Sequence, residues 1–367
     1  MKTLILSCNT GAGHNSSANG IKEYLTTLNE SCNVVDALAF ISKKFSLFIS
    51  NAHAVIYKRF PKFNAFAYDY VLKHESKFTD KFLGYKLLEK GSEKLKNYLI
   101  NGGYNVVICT HVFSAYMLTC AIKKYKFKLK LKTAFVCTDY SFTPSLQRNN
   151  FDYYFIPHPN LTNEFIEKGI SKNKIIASGI PVKSDFYSCI NKVEARQLFE
   201  LPSNKKHLVI ALGSMGCGPI KKLVKGFIKL NSNIIVTVVC GNNVKTQKYL
   251  QKVFKNNSNL HVLGYVNNMS LLLDSADLYL TKPGGLSVTE GLLKNVKMVL
   301  YNTVSGCEKG NVKFMEDKGY AVSVNKVKDA ICLCDKLLLE NSKTINYFKE
   351  DNFNLKNSSK VIYDTLK

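Results

Sequence analysis

The sequence predicts an α/β protein of two domains, each built on a doubly wound parallel sheet. Short apolar, β-branched runs alternate with stretches of helical periodicity, in two successive series. Glycine-rich turns stand where strands of both series give way to helices. The length of 367 residues suits two domains at about 150 residues each, and 46% hydrophobic residues can fill two cores. That composition excludes an intrinsically disordered or collagen-like chain.

In the first series, Thr3–Cys8, Asn33–Asp36, Val106–Thr110, Thr133–Thr138 and Tyr153–Ile156 read as buried parallel strands. Ser16–Leu28 reads as the helix after the first strand, with Ala18, Ile21, Leu25 and Leu28 on one face. The second series runs His207–Leu212, Ile234–Cys240, Leu260–Gly264, Leu278–Thr281, Met298–Tyr301 and Ala321–Val324. Helical stretches at Ile220–Leu230, Met269–Ser275 and Ser287–Lys294 separate these strands. The junction is expected near Pro181–Asn191. That gives residues 1–185 to a first domain, 186–345 to a second, and 346–367 to a C-terminal helix packing back on the first. Ligands of such sheets bind beyond the carboxyl ends of the strands, so two facing sheets are expected to hold a site in the cleft between them.

The eleven cysteines have no framework spacing, and Cys332 with Cys334 is C-x-C rather than the C-x-x-C of a zinc or redox site. Reduced core cysteines in a cytosolic protein are expected. The apolar start is too short for a signal peptide, and no stretch approaches the ~20 apolar residues that span a bilayer. Lys+Arg 51 against Asp+Glu 27 leaves a net charge of +24. A genomic bias towards Lys and Asn explains part of it; an anionic membrane surface or a nucleic acid would use it. The segment Phe40–Lys81 carries Phe45, Phe48, Tyr57, Phe60, Phe63, Phe66, Tyr68 and Tyr70, interleaved with Lys43, Lys44, Lys58, Arg59 and Lys62. The pattern reads either as core aromatics or as an interfacial helix with rings at the headgroup level. Six lysines in the ten residues Lys123–Lys132 favour the membrane surface.

Three turns carry the chemistry. Asn9-Thr10-Gly11-Ala12-Gly13-His14-Asn15-Ser16 joins the first strand to its helix, where backbone N–H groups and the positive dipole end suit an anion. It departs from G-x-G-x-x-G, so a dinucleotide fingerprint is not supported. His14 reads either as a proton-transfer group near neutrality or as a cap of this turn. Leu212-Gly213-Ser214-Met215-Gly216-Cys217-Gly218-Pro219 lacks the Gly-Lys-Ser/Thr ending of an NTPase loop and leaves backbone donors suited to a diphosphate. Thr281-Lys282-Pro283-Gly284-Gly285-Leu286-Ser287-Val288-Thr289-Glu290 places Glu290 a turn inside a helix, as an acceptor for ribose hydroxyls or as a carboxylate favoured by the dipole. Three such turns point to a nucleoside-diphosphate ligand.

Thr281–Glu290, followed by Val304-Ser305-Gly306-Cys307-Glu308-Lys309-Gly310-Asn311, resembles the donor-site signature of the monogalactosyl- and processive diacylglycerol glycosyltransferases. There a Lys-Pro-Gly-Gly-Leu-Thr-x-(Ser/Thr)-Glu block precedes Pro-Gly-Gln-Glu-x-x-Asn. Asn9–Ser16 is similar to that family's Thr-Gly-Gly-Gly-His turn, and Cys137-Thr138-Asp139-Tyr140 to its Val-Thr-Asp-(Phe/Tyr) block. Phe155-Ile156-Pro157-His158 and Gly179-Ile180-Pro181-Val182 match in order and spacing, and the resemblance spans roughly residues 1–345. It implies a GT-B fold of two facing Rossmann-like domains and an inverting transfer of a hexose from a UDP-sugar to a diacylglycerol-type lipid. Gly213, Ser214, Met215 and Gly216, with Gly284, Gly285 and Leu286, would hold the diphosphate; Lys282, Pro283 and Ser287 fall in the same donor set. Glu290 would hold the ribose, and Cys307, Glu308 and Asn311 the sugar. His14 and Asp139 would be the candidate bases. Gly11, Gly13, Tyr140 and His158 would lie on the acceptor side, with Phe45, Phe48, Tyr57, Lys58, Arg59, Phe60 and Phe63 docking an anionic membrane. No D-x-D motif is present, and neither a metal nor a cofactor beyond the UDP-sugar is expected. The resemblance further implies a bacterial, cytoplasmic enzyme, peripheral on the inner face of the cell membrane, with no nucleic-acid partner.

Two departures stand out. Cys307 replaces the family's Gln, whose amide can make paired hydrogen bonds that a thiol cannot, and Gly310 replaces a larger polar residue. Either the sugar differs from glucose and galactose or the sugar site is weakened. Ala12 replaces a glycine in the first turn. The alternatives are the lipid-linked cell-wall N-acetylglucosaminyltransferase of similar architecture, a UDP-sugar 2-epimerase, and an inactive membrane-surface or nucleic-acid-binding relative. Histidines 53, 74, 111, 207 and 261 show no ligand spacing and read as structural.

Overall fold

The computed structural model describes residues 1–59, 66, 70, 83–125, 130–230, 233–301, 308–339 and 357–367. Phe60, Phe63 and Cys307, and the side chains of Tyr57, Lys58 and Arg59, lie outside the described residues. The chain forms two compact units: Met1–Ser184 with the C-terminal helix, and the chain from Asp185 onward to that helix.

The first unit is a sheet of six parallel strands in the order β2-β1-β3-β4-β5-β6. The strands are β1 (Lys2–Ser7), β2 (Ser31–Asp36), β3 (Val106–Cys109), β4 (Lys132–Val136), β5 (Tyr153–Ile156) and β6 (Ile175–Ala177). Helix α1 (Ala12–Thr27) leads from β1 to β2 and begins before the expected Ser16. The turn Ala12-Gly13-His14 is already helical, so His14 stands in the first turn of a helix. Beyond β2 come α2 (Lys43–Arg59), α3 (Leu83–Lys90) and α4 (Ser92–Gly102). Helix α5 (Val112–Tyr125) links β3 to β4, and α6 (Thr162–Glu167) links β5 to β6. At three residues β6 is too short for hydrophobic periodicity to announce it. Ile5, Ala18, Ile21, Leu25, Val106, Ile108, Ala134 and Val136 form one core cluster. The C-terminal helix Ser358–Leu366 completes that cluster with Ile362 and Leu366. Ser359 Oγ donates to the Gly20 carbonyl at 3.2 Å and Ser358 Oγ to that of Ile180 at 3.3 Å.

The second unit opens with α7 (Lys192–Leu198), and its six parallel strands follow the order β12-β11-β10-β7-β8-β9. The strands are β7 (Lys206–Ala211), β8 (Ile234–Val239), β9 (Leu260–Leu263), β10 (Leu278–Thr281), β11 (Lys297–Tyr301) and β12 (Ala321–Val324). Between them run α8 (Ile220–Leu230), α9 (Val244–Val253), α10 (Met269–Asp274), α11 (Gly285–Leu293) and α12 (Glu308–Asp317), with α13 (Val327–Leu339) after β12. The C-terminal helix is therefore α14. Helices α8 and α13 bury Leu223, Val224, Phe227, Ala330 and Cys334 against β7, β8 and β10.

A polar network braces the amino ends of the second sheet's strands. Arg196 pairs with Asp277 at 2.5 Å, and Asp277 accepts the His207 amide at 2.7 Å. The His207 ring reaches Thr237 Oγ1 at 2.8 Å and the Ser275 carbonyl at 3.2 Å. Nearby, Lys294 and Asp274 form a buried ion pair at 2.9 Å.

Candidate functional site

In an open parallel sheet the crevice for a ligand lies where the strand order reverses, outside the carboxyl ends of the two strands concerned. In the first sheet that point lies between β1 and β3, paired in register from Thr3↔Val106 to Leu6↔Cys109. The residues beyond them therefore emerge side by side: Asn9–His14 after β1, Thr110 and His111 after β3, with Cys137–Asp139 following β4.

His14 Nδ1 lies 2.7 Å from the Thr110 carbonyl and 3.0 Å from Thr138 Oγ1. A carbonyl only accepts, so Nδ1 carries the proton and donates it, and the lone pair of the neutral ring sits on Nε2. Burial lowers the His14 pKa, against opposing contributions from the Asp139 carboxylate and the Thr110 carbonyl. The ring is thus held as a neutral base with one nitrogen able to take a proton. The His111 ring stands edge-on to it, centroids 4.6 Å apart. His111 Nδ1 accepts the Phe113 amide at 3.1 Å, so its Nε2 carries the proton and donates to Thr10 Oγ1 at 3.0 Å. Burial first, then His14 and His53, push the His111 pKa well below the ordinary imidazole value.

His111, which shows no ligand spacing in the sequence and reads there as structural, stands beside His14 in the structure. The strand order brings the two together. No local signal marks it, since only the strand order shows that the strand ending at Thr110-His111 lies beside β1. The glycine turn itself is tied down by Ser7 Oγ donating to Asn15 Oδ1 (2.5 Å), Asn15 Nδ2 to Asn9 Oδ1 (2.7 Å) and Asn9 Nδ2 to Asp36 Oδ2 (3.0 Å). Gly11 caps α1 with no side-chain hydrogen bond, and Gly13 lies within its first turn. Tyr140 is buried. His158, also buried, accepts the Asn160 amide on Nδ1 at 3.2 Å and so caps its own turn after β5.

The second sheet reverses between β7 and β10, in register from Leu208↔Leu278 to Ala211↔Thr281. Level strand ends set Gly213 beside Lys282: a Cβ on Gly213, whose φ is +80°, would stand 2.6 Å from Lys282 Cε. Gly216, at φ +56°, is held against β8's exit, where a Cβ would fall 2.0 Å from the Cys240 carbonyl oxygen. Both positions require glycine. The Ser214 carbonyl accepts the Asn242 amide at 2.8 Å, and the Gly216 carbonyl accepts Asn243 Nδ2 at 2.9 Å. Ser214 and Met215 remain partly exposed at the turn.

Across the reversal, Lys282 Nζ pairs with Glu308 Oε1 at 2.7 Å, and Asn311 Nδ2 donates to the Pro283 carbonyl at 2.9 Å. The first turn of α12 thus grips the loop before α11. Asn311, which the resemblance assigns to the sugar, is fully buried here and positions the loop. Gly284 caps α11 without a side-chain bond; Gly285 and Leu286 are buried, while Ser287 and Glu290 are partly exposed. The arrangement offers an anion a helix start, turn amides and one ammonium group.

Helix α2 leaves Leu47, Phe48 and Val55 at 63%, 68% and 48% exposure, beside Lys43 and Lys44, whereas Phe45 is half-buried. Phe66 and Tyr70 are exposed as well. Among the described residues no helix is long and apolar enough to cross a membrane, and no cluster of His, Cys, Asp or Glu could hold a metal ion.

Comparison with known proteins matches the two halves of the chain to two family models, the second of which extends into α14 of the first unit. The family model for monogalactosyldiacylglycerol (MGDG) synthase matches residues 14–182, and that for the glycosyltransferase family 28 C-terminal domain matches residues 207–362. A processive diacylglycerol beta-glucosyltransferase of Staphylococcus epidermidis is 27% identical over 76% of this chain and 69% of its own. The protein of that name in Bacillus subtilis is 30% identical over 63% of this chain and 61% of its own. Among solved structures, MurG of Acinetobacter baumannii superposes with a TM-score of 0.64 at 15% identity, covering 100% of this chain and 99% of its own. UDP-GlcNAc 2-epimerase of Neisseria meningitidis gives 0.62 at 14% identity, with 100% and 99% covered. These structural likenesses show the GT-B fold.

Proposed function

We propose that the chain, whose two halves match the MGDG-synthase and glycosyltransferase family 28 C-terminal models, is a glycosyltransferase that transfers a hexose from a UDP-sugar to a diacylglycerol-type membrane lipid. The observation that carries the reading is the placement of a phosphate-type turn and a neutral, oriented histidine at the two sheet reversals.

In this reading the second unit holds the donor. The amides of Gly213–Met215 and of Gly285 and Leu286 face the diphosphate, while those of Gly216 and Gly284 close their own turns on the carbonyls of Gly213 and Lys282; Lys282 is released to the diphosphate from Glu308. Glu290 takes the ribose, and Glu308 with the segment around Cys307 takes the sugar. The acceptor hydroxyl gives its proton to His14 Nε2 as its oxygen attacks C1 of the hexose from the face opposite UDP. The C1–O bond breaks, its electron pair goes to the β-phosphate oxygen, and the anomeric centre inverts. Helix starts and turn amides stabilise that developing charge. Asp139 keeps the ring basic by favouring its protonated form, and His111 holds its plane. In this reading α2 docks on the cytoplasmic face of the bilayer that holds the acceptor, which the exposure of Leu47, Phe48 and Val55 supports.

The test is UDP release with vesicles containing diacylglycerol, across UDP-glucose, UDP-galactose and UDP-N-acetylglucosamine, with and without a chelator. One donor is expected to turn over, at a rate the chelator leaves unchanged, and His14→Ala is expected to lower it by roughly 10²- to 10⁴-fold. Full activity in that variant would remove His14 from the mechanism. No release with any donor would leave a binding protein in which Cys307→Gln is the first reversion to make.

A further inference from the structure

Between Glu200 and Asp274 the chain has no carboxylate side chain at all, although 27 are spread over the whole sequence. This stretch builds β7, β8 and β9 with helices α8 and α9. Helix α8 presents Lys221, Lys222, Lys225 and Lys229, and α9 with the residue pair after it presents Lys245, Lys248, Lys252 and Lys255; all eight are exposed. Leu223, Phe227 and Leu250 bury the other sides of both helices in one core cluster. The two lysine rows are neighbours, since Lys221 and Lys225 of α8 stand 4.0 and 5.8 Å from the centroid of the Tyr249 ring on α9. Among the described residues none of the eight pairs with a carboxylate. Helices α12 and α13 of the same unit differ: their lysines are mixed with Glu308, Glu316, Asp317, Asp329 and Asp335.

A composition bias towards lysine accounts for many lysines but not for an acid-free face confined to one side of one sheet. Half-exposed aliphatics, Leu230 at 50%, Val244 at 51% and Val253 at 49%, sit at the ends of the same helices. We infer that the α8–α9 face of the second unit is a docking surface for an anionic lipid bilayer. A broad two-helix face of ammonium groups on flexible stems matches a sheet of lipid phosphates, and aliphatic side chains at its margin suit the headgroup region more than the polar backbone of a nucleic acid. The choice of a bilayer as occupant rests on the lipid-acceptor reading; the surface itself rests on charge and placement. It is distinct from the α2 face of the first unit, which offers apolar side chains.

The experiment is co-sedimentation of the full chain with phosphatidylcholine vesicles, with and without phosphatidylglycerol, in the absence of donor. Lys221, Lys225, Lys248 and Lys252 are changed together to Gln. Lys313, Lys318, Lys328 and Lys336 of the mixed-charge helices are changed in a second variant with the same net charge. Each lysine near an anionic bilayer is worth roughly fivefold in affinity at low salt. The α8–α9 variant is therefore expected to bind phosphatidylglycerol vesicles at least ~10-fold more weakly, while the second variant binds as the parent does. Affinity for UDP and turnover of detergent-dispersed diacylglycerol are expected to be unchanged in both. Equal weakening of the two variants would show an effect of net charge alone and overturn the inference. So would unchanged vesicle binding, or a loss seen instead for single-stranded RNA or for UDP. Because the decisive readout is vesicle binding without donor, an inactive chain would refute the glycosyltransferase reading and the ground for choosing a bilayer, while the vesicle assay would still decide whether this face binds one.

Discussion

One proton on one nitrogen decides what His14 can do. With Nδ1–H given to the Thr110 carbonyl, the lone pair is fixed on Nε2, and burial keeps the ring neutral below the ordinary value of 6.5. A neutral base loses activity only as pH falls through its own pKa. The acid limb of kcat/KM is therefore expected below that of an exposed imidazole. Asp139 raises the His14 pKa, so Asp139→Asn is expected to move the limb further towards acid and to slow turnover on the plateau by roughly tenfold. A limb that stays in place would mean that another group titrates. His207 gives a second pH effect, on stability. Burial lowers its pKa from 6.5 to about 4, whereas in the unfolded chain it titrates normally. As pH falls from 6.5 towards 4 the unfolded state takes up the proton first, so stability present at neutrality is lost over that window, by about 3 kcal/mol in all. The urea midpoint of His207→Asn is expected to fall less steeply than the parent's across the same range.

At the scale of elements, a buried ion pair ties α10 to the residue that ends α11. Lys294 Nζ reaches Asp274 at 2.9 Å and the carbonyls of Ser188 and Asp185, all within the second unit. Removing one partner strands a buried charge, so Lys294→Met is expected to cost about 3 kcal/mol, and Asp274→Leu added to it to restore most of the loss. Equilibrium denaturation of the single and double variants checks both figures. Strands were the most legible elements. Buried parallel strands are short apolar runs, and Leu278–Thr281 and Ala321–Val324 stand in the structure where periodicity placed them. Turns were legible through glycine, since Gly213 and Gly216 occupy conformations that other residues rarely adopt. Pairings were not. Nothing local in Thr110-His111 says that β3 lies against β1, and nothing in Asn311 says that its amide is spent on Pro283. Those facts belong to the order of strands, which a linear pattern of polarity does not encode.

For the whole molecule, the first unit is discontinuous in sequence. Helix α14 comes after all of the second unit, yet Ile362 and Leu366 complete the cluster around Ile5, Ile21 and Leu25. A chain ended before Asn357 is expected to keep the second unit's cooperative unfolding while the first unit melts at lower temperature. Differential scanning calorimetry separates the two, and an unchanged first transition would show that the helix is dispensable. The same arrangement has a consequence during synthesis. Residues 358–366 leave the ribosome after every other described element of either unit, so the second unit can finish folding while the first still waits for part of its core. Order of emergence and order of completion are thereby reversed for the first unit, against the usual tendency of amino-terminal domains to fold first. Nascent chains stalled before Asn357 should be cut by protease within β1–β6 and resist it within β7–β12, and translation through α14 should close that window.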